Sequence, residues 1–152
     1  MKKQPKQVAY HEAGHVVVAR HFGLRACASL SNPEEISAQK KFAGLAEFES
    51  TTVFRTAAIG WGGVIAQTLS EISLNKWSCI ADWPHDSLCW LMTIPDSEPD
   101  LALINGHPAK VRTLGIALRI LIKRQNEVVT VAEELMSRGA TDNWPLGMAA
   151  IA

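Results

Sequence analysis

Apolar residues at Val8, Ala9, Ala13, Val16, Val17, Ala19 and Phe22 recur at three- and four-residue intervals, the spacing that gathers side chains on one side of a helix. Pro5 suits a first-turn position and Gly23 the residue just past the C-terminus, so a helix is predicted over Pro5–Phe22. From Leu24 to Glu49 the pattern breaks around Ser31-Asn32-Pro33 and Gly44. Strand-like patches at Ala26–Leu30 and Leu45–Phe48 predict a small sheet or hairpin.

Helical spacing returns from about Thr52 to Ile72 through Val53, Ala57, Trp61, Val64, Ile65, Leu69 and Ile72, with Gly60, Gly62 and Gly63 inside it. A glycine costs up to about 1 kcal/mol against alanine in a helix interior. The cluster therefore predicts close approach by another backbone, with the first helix as the candidate neighbour. Asp82-Trp83-Pro84 predicts a third helix start, with apolar residues continuing to Ile94. Residues 95–108, with three prolines and Gly106, predict a loop. Two further helices follow, about Ala109–Arg124 and Asn126–Arg138, the last ending at Gly139. No internal repeat or linker interrupts this order, so residues 1–152 are expected to form one mainly α domain with a small β element.

Composition narrows the setting. Fifteen basic residues balance fifteen acidic ones, leaving no electrostatic footprint for nucleic acid or an anionic membrane surface. Cys27, Cys79 and Cys89 are an odd number without a CxxC pair, as expected of reduced thiols. The first residues, MKKQPKQVAYHEAG, lack the apolar stretch of a signal peptide, and no 18-residue uncharged apolar run occurs. A cytoplasmic protein without nucleic-acid or membrane partners is expected.

The chemistry lies in the first helix. His11-Glu12-Ala13-Gly14-His15 sets two imidazoles four residues apart, on one helical face, where both can grip one ion. Glu12, three positions before His15, is near that face and can accept a proton from a water on the metal. Two histidines leave a tetrahedral zinc one protein ligand short of a catalytic set. The plain alternative is two ordinary helix histidines and a surface glutamate. The bracketed helix and its apolar neighbours Val8, Val16 and Ala19 weigh against it. His21 and His107 have no such support and read as surface or capping histidines.

The stretch Val8–Ala19, VAYHEAGHVVVA, resembles the zinc helix of the FtsH-type peptidases, the proteolytic domains of membrane-anchored AAA proteases. Gly62-Gly63-Val64-Ile65-Ala66-Gln67 is similar to that family's GGRxAE segment, and Asn126 to Asp142 to its closing helix. The resemblance implies a mostly helical peptidase fold, a zinc ion, and an aspartate as third ligand from a helix after the glycine segment. By that likeness Asp86 is the ligand, with Asp82 and His85 competing: Asp82 has an alternative role as a helix N-cap, and His85 can orient a ligand from behind. Gln67 stands where the family carries glutamate. No GxxxxGK[ST] loop occurs in the sequence, so no ATPase activity of its own is expected.

The expected function is that of a zinc metalloendopeptidase with Glu12 as general base and His11, His15 and Asp86 on the metal. Its substrates would be peptides or unfolded segments. A separate ATPase partner and a homo-oligomer are compatible with that reading. The alternatives are a catalytically inactive or regulatory metal-binding protein on the same fold, and a hydrolase of non-peptide amides.

Overall fold

A computed structural model describes residues 5–30, 44–80 and 98–141. The elements are α1 (Pro5–His21), β1 (Ala26–Leu30), β2 (Gly44–Phe48) and α2 (Val53–Leu69). A single 3-10 turn at Leu74–Lys76 then leads into α3 (Trp77–Ile80), followed by α4 (Glu98–Asn105), α5 (Lys110–Lys123) and α6 (Gln125–Arg138). The protein is mainly helical with a two-stranded antiparallel sheet. Among the described residues no helix is long and apolar enough to cross a membrane.

Helix α1 is the centre of the packing, touching α2, α6, α5 and both strands. Its spacing predicts one apolar side, yet every residue from Val8 to Ala19 is buried. Surrounded on all sides, the helix also draws the polar motif inside. It ends as expected: Gly23 takes φ 78°, a left-handed conformation that costs glycine no Cβ clash, and Leu24 N–H returns to the Ala19 carbonyl at 3.1 Å. At the start of α2 the Thr52 hydroxyl accepts the Arg55 N–H at 3.3 Å, satisfying a first-turn donor.

The glycine cluster of α2 does what its helix cost suggests. A Cβ on Gly14 would overlap the Gly62 carbonyl oxygen, and one on Gly62 would lie 2.7 Å from the Gly14 carbonyl oxygen. Helices α1 and α2 thus meet backbone to backbone. Gly60 serves α4 in the same way, since a Cβ there would stand 2.9 Å from the Leu103 Cβ.

The strands pair Ala26 with Phe48 through Leu30 with Gly44. The other edge of β1 is taken by the chain leaving α6: Leu30 N–H donates to the Gly139 carbonyl at 2.8 Å and Thr141 N–H to the Ala28 carbonyl at 3.0 Å. Gly139, at φ 77°, makes the left-handed turn that permits this return. Trp61 and Trp77, both fully buried, satisfy their indole N–H groups, Trp61 on the Thr113 hydroxyl and Trp77 on the Leu69 and Ile72 carbonyls, each at 3.1 Å.

One stretch departs from expectation. Residues 98–105, read as part of a loop, form α4. Proline is a helix breaker in the interior but is tolerated in the first turn. Pro99 is the second residue of α4, so it opens the helix instead of interrupting it. The helix expected from Asp82 to Ile94 lies outside the described residues.

Candidate metal centre

His11 and His15 stand one turn apart on α1, each 5% exposed, with ring centroids 4.9 Å apart. Each ring commits its Nδ1. His11 Nδ1 donates to Gln67 Oε1 at 2.9 Å, and His15 Nδ1 donates to the Ile59 carbonyl at 2.7 Å. Both acceptors belong to α2 and accept only from a protonated nitrogen, so the neutral form of each ring keeps its lone pair on Nε2.

Both Nε2 atoms face one carboxylate. Asp100, the third residue of α4, places Oδ2 at 2.7 Å from His11 Nε2 and Oδ1 at 3.2 Å from His15 Nε2. The aspartate is itself buried, at 6% exposure. Neutral imidazole lone pairs and carboxylate oxygens repel at these distances unless a proton or a cation lies between them. Burial alone would lower the His15 pKa. The hydrogen bond and charge of Asp100, then the Glu12 charge and the Ile59 carbonyl, override burial and push it up to about 9. Burial raises the Asp100 pKa, but the two histidines outweigh it and hold the carboxyl well below the usual carboxylate range. The pocket is built for positive charge.

His11, His15 and Asp100 bring one ligand atom each within 4.8 Å of one another, and this buried group can hold a metal ion. The space at the nitrogens depends on Gly63 of α2, one turn after Ile59. A Cβ on Gly63 would overlap His15 Nε2 and lie 2.8 Å from His11 Nε2. Any side chain there would enter the cradle between the two histidines. The donor set also fits: two imidazoles and one carboxylate match the composition of a catalytic zinc site that keeps an open position.

Glu12 is 8% exposed and close enough for its charge to raise the His15 pKa, but it is not one of the three grouped ligands. The first residue of β2 lies against it, since a Cβ on Gly44 would stand 2.8 Å from the Glu12 Cγ. Of the residues singled out from sequence, the structure therefore brings His11, Glu12 and His15 together. Asp86, Asp82 and His85 lie outside the described residues. His21 is exposed at the end of α1. His107 accepts the Ala109 N–H at 3.1 Å just ahead of α5 and meets the Phe54 ring edge-on.

Asp100 was not anticipated, because the three prolines of 95–108 suggest a loop. The available signal was Glu98-Pro99-Asp100 followed by Leu101 and Ile104, the proline-led helix opening already recognised at Asp82-Trp83-Pro84. Comparison with known proteins finds no family model and no curated protein that matches the chain.

Proposed function

We propose that this protein is a zinc-dependent metallopeptidase that hydrolyses peptide bonds in peptides or unfolded segments. His11, His15 and Asp100 hold the ion, and Asp100 takes the place that the family resemblance assigns to Asp86. The observation that carries the reading is the convergence of both histidine Nε2 atoms on a single buried carboxylate, with Glu12 beside them on the same helix. Bound zinc would lower the pKa of a water to about 7 and polarise the scissile carbonyl.

The chain's own residues supply the rest. Gln67 and the Ile59 carbonyl fix the ring tautomers, so the coordinating nitrogens need not reorient when an ion enters. Glu12, on the same helix as the two histidines but outside the grouped ligands, would act as general base, taking a proton from the water and passing it to the leaving amine. Burial of Glu12 and Asp100 beside the histidines strengthens each charge interaction.

The test is elemental analysis of untagged protein together with hydrolysis of unfolded casein, with and without a chelator. One zinc per chain and chelator-sensitive cleavage are expected. Absence of metal refutes the reading. Bound zinc without hydrolysis of any peptide or unfolded protein would favour the regulatory metal-binding alternative.

A further inference from the structure

The two histidines are held from behind by different means. His15 leans on the Ile59 main-chain carbonyl at 2.7 Å, a buried contact that no side-chain substitution at position 59 deletes. His11 leans on the amide oxygen of Gln67 at 2.9 Å, a half-buried side chain near the end of α2. Gln67 also borders an open depression of about 340 Å³, which it lines with Gln7, Thr68, Glu71 and Ile72. One ligand is thus anchored by the fold and the other by a replaceable, solvent-reachable group.

From this asymmetry we infer that Gln67 is a positioning residue of the metal site, selecting the His11 tautomer that turns its Nε2 lone pair toward Asp100 and setting how tightly the ion is held. The inference rests on the metal-centre reading above. An acceptor on the far nitrogen of a ligating imidazole fixes the ring and raises its basicity, and loss of such a partner commonly costs about 10–100-fold in metal affinity. A carboxylate acceptor pulls harder on the Nδ1 proton than a neutral amide does, because the hydrogen bond becomes charge-assisted. Gln67 therefore gives His11 orientation with a moderate gain in basicity. Substitution can move the affinity in either direction.

The experiment compares wild type, Gln67→Leu and Gln67→Glu. Zinc dissociation constants are measured by competition with a chromophoric chelator, and the histidine side chains of zinc-loaded protein are observed by ¹H–¹⁵N NMR. Gln67→Leu should loosen zinc by about 10-fold or more, toward the low end of the range because water in the depression can replace the amide. Gln67→Glu should tighten it. In wild type both Nδ1–H signals should be protected from exchange. In Gln67→Leu the His11 signal should be lost while the His15 signal survives, a selectivity that a general packing defect would not produce. Dissociation constants within about threefold across the series, a reversed order, or an unaltered His11 signal in Gln67→Leu would overturn the inference. Should Gln67→Leu not fold, the Gln67→Glu affinity decides alone. If wild type takes up no zinc, the metal reading falls and takes this inference with it; a wild type that binds zinc indifferently to position 67 sinks only the inference.

Discussion

Gly63→Ala separates what helix α2 prefers from what the site requires. By propensity alone, alanine in a helix interior should stabilise the protein by about 1 kcal/mol. The added Cβ, however, would overlap His15 Nε2 and come within 2.8 Å of His11 Nε2. Neither ring has an easy retreat, because His11 is bonded to Gln67 and His15 to the Ile59 carbonyl. Nor can α1 slide outward as a unit without breaking the backbone contact between Gly14 and Gly62. Overpacking of this kind costs about 1–3 kcal/mol, so the chelated protein should lose at most about 2 kcal/mol once the propensity gain is included. Metal binding should suffer more, since the methyl group takes the space between the two coordinating nitrogens and displaces at least one ligand. We expect zinc affinity to fall by about 100-fold or more, near 3 kcal/mol. Chelator competition reads the affinity, and urea unfolding of the chelated protein reads the fold. Wild-type zinc affinity in a folded Gly63→Ala protein would show that these nitrogens do not bind the ion.

Glu12→Gln should keep its metal while hydrolysis of unfolded casein falls by roughly 10²–10⁴-fold, the usual contribution of a general base; loss of zinc would mean that Glu12 coordinates it. Asp100→Asn should lower zinc stoichiometry and Asp86→Asn should leave it unchanged, with the opposite pattern assigning the third ligand to Asp86. In chelated protein, a His15 pKa raised from 6.5 to about 9 contributes stability that is fully present below pH 6.5 and lost as pH rises through about 9. Urea midpoints of the chelated form should decline across that window by at most about 3 kcal/mol equivalent, whereas zinc-loaded protein, with the ring held unprotonated, should show no such decline. A flat chelated profile would contradict the His15–Asp100 pairing.

Helix α1 and its motif were legible because their information is local. The four-residue spacing of His11 and His15 sets them on one helical face, and Pro5 and Gly23 mark the ends. Helices α5 and α6 were legible for the same reason, as was the hairpin of β1 and β2. The three glycines of α2 went further and announced a tertiary contact. They are costly where they stand, and close approach to α1, to the histidine rings and to α4 accounts for that cost. What spacing did not disclose was the extent of burial around α1, since a one-sided apolar pattern says nothing of how many neighbours close over the other side.

The carboxylate opposite the two histidines shows where local reasoning stops. Asp100 is 89 residues from His11, and nothing in its own neighbourhood marks it as a ligand; it follows a proline in a stretch that reads as loop. Its role arises from packing. Gly60 lets α4 settle on α2, which sets the Asp100 carboxylate opposite the histidine nitrogens that Gly63 leaves uncovered. The same helix α2 provides both Nδ1 acceptors, Gln67 and the Ile59 carbonyl. A segment whose glycines look like helix defects thus admits Asp100, clears the space beside His11 and His15 and fixes their tautomers. Substitutions along this face of α2 should therefore alter metal affinity although no residue of α2 is itself a proposed ligand.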